Sequence, residues 1–447
     1  MTSLSAIKYR IFSFSVKYVS SVAFPIAIAR AYGPTVNGDV QLLIAATGYL
    51  GLLDSGMTIS ALNRAGMHVD DAKDNARSIL QLQTRSSVKM FSIGIFIAGG
   101  LILAAGWNHW IGTSLLFGGA LLALTAILEI AVTPFKYHLY SYGLAASAEK
   151  RETFLSIIST LALLLWSILI LIGQIPLLFG LPIGLILLRA DRVASGMASL
   201  RDLQSLAVLS SNNNSFRNGK KPQYPSQRNQ NGERRNRLWI SALQVLAVLN
   251  WSADIFLIKF IVGSSAVSDY SIYSKLFLFP VAIAALANPV IQSAVSQGRL
   301  NSARFALFTR ASWLCILGAT TLIVLVCQNI VFSFPLLTSR IGISSNPSVN
   351  LIITFSYLSM LTTVSGFYAP IANGLQIFRY QVGISAIFLP SNIFLSWLLG
   401  SRCGLGMVGI LAATCFTMTI TSCIVMPNQI LKSLKNGRIQ AAMTGIL

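Results

Sequence analysis

The chain has 447 residues, of which 54% are hydrophobic and only 10% charged, and its mean hydropathy is +0.68. A soluble protein carries about 25% charged residues to clothe its surface, so a water-soluble globule is excluded. Basic residues outnumber acidic ones by 33 to 13, for a net charge of +20. In so apolar a chain this excess reads as cytoplasmic loops collecting Lys and Arg, not as a nucleic-acid surface.

The apolar segments are long and continuous, which excludes the alternating pattern of a membrane β-barrel. At roughly 20 apolar residues per span, the sequence predicts an all-α polytopic membrane protein of about twelve transmembrane helices. The predicted spans are 11–31, 40–62, 88–106, 114–134, 153–173, 177–197, 238–261, 270–292, 311–332, 350–372, 381–400 and 404–426. The first span is expected to be retained, because Lys17 interrupts it and no small-residue cleavage site follows. Between the first two lies a cluster of turn formers, Tyr32-Gly33-Pro34-Thr35-Val36-Asn37-Gly38-Asp39.

The longest connector, 201–237, carries Ser210-Ser211-Asn212-Asn213-Asn214, Lys220-Lys221-Pro222 and Arg234-Arg235-Asn236-Arg237. It is expected to be a disordered, basic cytoplasmic linker that separates a six-helix lobe at 1–200 from a second at 238–447. With these spans nearly every loop cation falls on one side, and only Arg340 and Arg402 fall on the other. Both termini are therefore expected in the cytoplasm. The halves share a short pattern: Gly33-x5-Asp39 with Arg30 upstream, and Gly263-x5-Asp269 with Lys259 upstream. Parallel repeats of this kind recur in transporters, with the substrate path at the repeat interface.

No HExxH, GxGxxG or Walker-type motif is present, and the five cysteines form neither a CxxC pair nor a Cys/His cluster. The expectation is a protein with no catalytic residues, no cofactor and no metal site. What remains is charge inside the spans, where each ionisable group costs about 2.5–3.5 kcal/mol on insertion scales. The cations are Lys17, Arg30, Lys259, Lys275, Arg189 and Arg192; the acids are Asp54, Glu129, Asp254 and Asp191. Snorkelling to the headgroups is the plain alternative for the four cations Lys17, Arg30, Lys259 and Lys275.

Asp54 is expected to pair with Lys17. Asp254 and Lys259 are five positions apart, on different sides of a helix, so they are not expected to pair. Asp54, Asp254 and Glu129 are read as structural or coupling charges. In the sixth span the clean apolar run Ile175–Leu188 is only about 21 Å long at 1.5 Å per residue. Either Arg189 and Arg192 enter the membrane facing a wet cavity, or the bilayer thins there. Several cations with fewer acids favour an anionic cargo, since Arg offers a planar fork for phosphate and Lys a mobile point charge.

Two stretches carry a family resemblance. Arg30-Ala31-Tyr32-Gly33-Pro34 through Asn37-Gly38, with Leu53-Asp54-Ser55-Gly56-Met57, resembles the opening of Wzx-type O-antigen repeat-unit flippases. These belong to the multidrug/oligosaccharidyl-lipid/polysaccharide exporter superfamily. Asp254 through Gly263, then Asp269-Tyr270-Ser271-Ile272-Tyr273-Ser274-Lys275-Leu276, resembles that family's seventh and eighth spans. The resemblance implies a two-lobed bundle in the bacterial inner membrane. It would translocate an undecaprenyl-diphosphate-linked oligosaccharide by alternating access through a cationic central cavity lined by Lys17, Arg30, Lys259 and Lys275. The implied partners are the lipid-linked oligosaccharide, membrane lipids, a polysaccharide polymerase and glycosyltransferases, with no nucleic acid.

The basic linker is longer than the family pattern. A cation-coupled multidrug exporter of the same superfamily is the nearest alternative, kept open by Asp54, Glu129 and Asp254. An O-antigen polymerase is disfavoured, because the longest outer loop, 333–349, holds Arg340 alone.

The charge skew sets a topology test. Cysteines introduced at 333–349 and 263–268 are expected to react with an impermeant thiol reagent added outside intact cells, and cysteines at 205–235 are not. Labelling of 205–235 from outside would invert the orientation.

Overall fold

The computed structural model describes residues 2–48, 50, 76–107, 113–142, 144–173, 175–214, 227–278, 348–443 and scattered positions from 281 to 309. In these, twelve α-helices follow one another. They are α1 (Thr2–Tyr32), α2 (Pro34–Gly48), α3 (Ala76–Trp107), α4 (Thr113–Ser141), α5 (Ala145–Leu171) and α6 (Leu177–Asn214). Then come α7 (Gln227–Ile261), α8 (Ser264–Phe277), α9 (Val349–Gly374), α10 (Phe378–Trp397), α11 (Gly406–Met418) and α12 (Met426–Met443). A π-helical turn, Leu398–Arg402, extends α10, and another, Thr419–Val425, joins α11 to α12.

Seven of the described helical stretches are long and apolar enough to cross a bilayer: Ile11–Tyr32, Leu115–Tyr140, Ala145–Leu171, Leu238–Ile261, Val349–Gly374, Phe378–Arg402 and Gly406–Asn436. Each overlaps a predicted span. The predicted span 311–332 lies outside the described residues. The all-α polytopic fold expected from hydropathy is the one observed.

The residues fall into two units, Met1–Tyr32 with Leu43–Val248, and Gly33–Leu42 with Leu249–Leu447. In the first unit α1 packs along α5, α4 along α6, and α3 against α4 and α6. Helix α5 shows why these helices suit a bilayer. Its buried stripe, Glu149, Thr153, Ser156, Thr160, Leu163, Ser167 and Ile170, recurs every three or four residues and is mostly small and polar. The opposite face exposes Phe154, Ile158, Leu161, Leu165 and Ile168. A soluble helix is arranged the other way round. Here the apolar face meets lipid, and the small hydroxyl side chains let backbones approach and bond across helices.

In the second unit α9 and α10 pack on α11. A core of Phe305, Val364, Tyr368, Ile371 and Ile430 gathers α9 and α12. Phe355 of α9 sits among Tyr270, Tyr273 and Phe277 of α8.

The 201–237 segment, expected to be a disordered linker, is helical to Asn214 and again from Gln227. Burial explains its first part. Leu203 packs with Val132, Phe135 and Leu139 of α4, with Leu200 and Leu206 alongside, so this first part has an apolar docking face. Residues 215–226 lie outside the described set.

The sequence repeat is a repeat of backbone geometry. Gly33 (φ +95°) separates α1 from α2, and Gly263 (φ +119°) separates α7 from α8. Such angles favour glycine. In each case the glycine carbonyl accepts the first helical N–H bond, from Asn37 at 3.2 Å and from Val267 at 3.3 Å.

Within the second unit the start of α2 lies so close to α8 that a Cβ on Gly38 would meet the Ser264 carbonyl oxygen at 1.9 Å. Gly38→Ala is therefore expected to destabilise the protein by at least about 1–3 kcal/mol, as overpacking does. Gly99→Ala in α3, where a Cβ meets nothing within 4 Å, is expected to be neutral or to stabilise by up to about 1 kcal/mol. Melting temperatures of the two purified variants in one detergent check the contrast.

Candidate functional site

The first unit gathers most of the described intramembrane charge. Lys17 Nζ, in α1, lies 2.5 Å from Asp191 Oδ2 of α6 and 3.2 Å from Glu152 Oε1 of α5. Glu152 also meets Lys136 of α4, whose Nζ is 2.8 Å from Glu149 Oε1. Ser156 Oγ donates to Asp191 Oδ2 at 2.9 Å and accepts from Ser13 Oγ at 2.9 Å. The acids here are thoroughly buried, with the Asp191 and Glu149 side chains each 2% exposed. Four helices thus share alternating charges, so that none is left bare in an apolar medium.

A second group lies in the same unit. Arg189 Nη1 is 2.5 Å from Glu129 Oε2, and Arg192 Nη1 is 2.8 Å from Glu129 Oε1. Arg189 Nη2 also donates to Thr47 Oγ1 at 3.4 Å. Because Arg189 and Arg192 are three apart they share a face of α6, and a single carboxylate of α4 lies against both. The short apolar run that made the sixth span odd thus ends at two arginines held by Glu129.

In the second unit Lys259 Nζ, at the end of α7, lies 2.7 Å from Asp39 Oδ1 and also meets Ser264 Oγ, which donates to Asp39 at 3.0 Å. Lys275 of α8 donates to Gln41 Oε1 at 3.5 Å. Gln41 donates to Asn37 at 3.3 Å, and Asn37 to Ser268 at 2.7 Å. Residues 37 and 41 stand one turn apart on α2, so a polar ladder leads from α8 to the Lys275 ammonium.

Elsewhere in this unit Asp254 of α7 is 4% exposed. Its two oxygens lie 2.9 and 3.1 Å from Thr414 Oγ1 of α11. Asn392 Oδ1 of α10 is 3.2 Å from Thr414 Oγ1 and 3.3 Å from Thr417 Oγ1. Among the described residues no basic side chain pairs with Asp254. The cluster offers a cation several oxygen donors and one formal negative charge.

The four predicted cargo cations are thus differently placed. Lys17 and Lys259 have carboxylate partners; Lys275 is held by an amide; Arg30 is exposed in the last turn of α1. Asp54 lies outside the described residues, and the described partners of Lys17 are Asp191 and Glu152. Glu129 is clamped by two arginines, and Asp254 stands apart from Lys259.

Sequence reasoning missed Lys136, Glu149 and Glu152, which read as loop charges. Their placement flanking the short α4–α5 connection was the available signal, since a hairpin brings such residues together. Asn392, Thr414 and Thr417 gave no signal, being uncharged residues in apolar spans.

The pairing predicts a graded response. Lys17→Met removes one partner from the buried Asp191 and is expected to cost about 3–5 kcal/mol, seen as a large fall in melting temperature and yield. Adding Asp191→Asn should restore part of the loss. Lys259→Met, at a pair whose side chains are 31% and 30% exposed, should cost less, about 1 kcal/mol. Equal losses from the two single variants would overturn the ranking.

No family model matches the chain, and no curated protein matches it. Solved structures do. A MOP superfamily transporter from Pyrococcus furiosus, described by the reverse polarity of its binding pocket, aligns with TM-score 0.67 and 12% identity over 97% of this chain and 96% of that one. Two structures of a multidrug resistance MATE family transporter of the same superfamily also align. The outward-facing one has TM-score 0.62 and 12% identity over 97% of this chain and 96% of that one. The inward-facing one has TM-score 0.58 and 13% identity over 96% and 99%. The chain therefore has the fold of MOP superfamily transporters over essentially its whole length.

Proposed function

We propose that the chain is a flippase that moves an undecaprenyl-diphosphate-linked oligosaccharide repeat unit across the bacterial inner membrane by alternating access, with both termini in the cytoplasm. The observation that carries this reading is an asymmetry of burial. The acids Glu149, Asp191, Asp254 and Asp269 are buried. Arg30 and Arg192 are exposed, and Lys17, Lys259 and Lys275 are partly so. Four described acids are buried against one described cation, Lys136, so the accessible charge is biased to the positive, which suits a diphosphate or an acidic sugar. The fold, shared with membrane transporters, supports the same class of function. Partners that make or polymerise the repeat unit follow from this cargo.

A second reading, a cation-coupled multidrug exporter, is favoured by one observation. Asp254 is a buried carboxylate among oxygen donors with no basic partner among the described residues. A bare carboxylate in an apolar interior is costly, so this position suits a proton or an alkali cation that is taken up and released during the cycle. The same site serves a flippase driven by an ion gradient, and it is the coupling position in either reading.

The test is expression in a strain lacking its own repeat-unit flippase. The wild-type chain is expected to restore surface polysaccharide. Arg30→Ala and Lys275→Ala should each reduce it roughly ten- to hundredfold at unchanged protein level, as the loss of a charge-assisted contact of about 1.5–3 kcal/mol implies. Asp254→Asn should accumulate normally and lose transport. Raised resistance to cationic drugs with no surface polysaccharide would establish the second reading instead.

A further inference from the structure

Lys and Arg recur to the end of the chain, but no Asp or Glu follows Asp269. The downstream cations therefore have no acid of their own segment to pair with, and three of them gather at one end of the second unit. The turn between α9 and α10 marks that end. Val349–Gly374 and Phe378–Arg402 are both long and apolar enough to cross a bilayer, so the turn joining them lies at one membrane face, and Arg379 stands at the start of the second stretch. Leu375 and Ile377 of that turn pack on the core that holds Ile430 and Leu434 of α12, and α9 contacts α12. This part of α12 is thus at the same face.

Helix register divides α12 into two sides. Pro427, Ile430 and Leu434 are buried, while Asn428, Lys432, Lys435 and Asn436 are exposed. The exposed positions recur every three or four residues and share a side, which is polar throughout and carries only positive charge. Arg379 is exposed too, next to Tyr380, which is 52% exposed. Among the described residues none of the three cations has an ion-pair partner.

The length of the last apolar stretch sets the level of these cations. Gly406–Asn436 is long and apolar enough to cross a bilayer, and from Gly406 to Leu431 it carries no charge. That charge-free part is at most about 39 Å long at 1.5 Å per residue, against a hydrocarbon core of about 30 Å. A core laid anywhere along it ends within about 9 Å of Lys432. An ammonium on a long stem spans that gap to the headgroups. A tyrosine beside Arg379 is the ring type that settles at the same level.

We infer that Arg379, Lys432 and Lys435 form a docking surface for anionic phospholipid headgroups. Charge complementarity commits the surface to this occupant. Three cations without acidic partners, on a side that holds no acid to repel a phosphate, favour an acidic lipid over a zwitterionic one. The cations come from α10 and α12, so lipid held there ties the α9–α10 turn to the last helix. The inference is independent of the cargo reading.

The test uses the purified full-length protein in detergent, mixed with equal amounts of phosphatidylglycerol and phosphatidylcholine, with retained lipid counted by native mass spectrometry. Wild type is expected to retain phosphatidylglycerol at least fivefold over phosphatidylcholine. Arg379→Gln, Lys432→Gln and Lys435→Gln should each lower that preference about two- to fivefold, as the loss of one cation near a charged surface implies, and the triple variant should abolish most of it. The single variants give the answer should the triple variant fail to accumulate. Lys432→Arg with Lys435→Arg, which keeps the charge, should preserve the preference, and so should Arg402→Gln at the other end of α10. Equal retention of the two lipids by wild type, a preference untouched by the glutamine variants, or an equal loss from Arg402→Gln overturns the surface.

Discussion

An ionisable side chain at membrane depth must meet an opposite charge, a ring of hydrogen bonds or water, because hydrocarbon supplies none of them. The charged positions of this chain are arranged by that constraint. Where the side chain is buried, as at Lys136, Asp191 and Glu149, it is paired across helices. Where no basic partner is described, as at Asp254, hydroxyl and amide groups crowd around it. Arg192 is half exposed and takes its opposite charge from Glu129.

The ties in turn explain why these helices pack as they do. Helix association in a bilayer draws little from the hydrophobic effect, because lipid tails are as apolar as leucine. Small hydroxyl residues on the inner stripe of α5 let α1 come close, and the Lys17–Asp191–Glu152 pairing then joins α1, α5 and α6 at one level. In the second unit Gly38 does the same for α2 and α8, and Asp39, Ser264 and Lys259 close the contact with charge.

An anionic cargo and a coupling ion would make different demands on this arrangement. An anionic cargo asks for cations on accessible faces, held firmly enough not to collapse onto the nearest acid. Deeply buried partners for the acids meet that need. A coupling ion asks for the reverse, a buried acid without a fixed counter-charge.

Much of this was legible in the amino-acid sequence. Hydropathy alone requires an all-α membrane protein, because the apolar runs are too long for strands, and seven of its spans overlap described helical stretches long and apolar enough to cross a bilayer. Gly33 and Gly263 could be recognised as equivalent turns, since their spacing to the next aspartate is shared. The docked face of the 201–214 stretch was not legible, because the composition of the whole 201–237 connector averages over a helix that hides Leu203 on one side. Nor could sequence say that Lys17 and Lys259 are paired while Arg192 is half exposed. Intramembrane charges announce themselves singly by their cost, but a partner comes from another helix at the same depth, often more than a hundred residues away. That depth and rotation are fixed only when the helices pack, so pairing and exposure were decided by the tertiary structure alone.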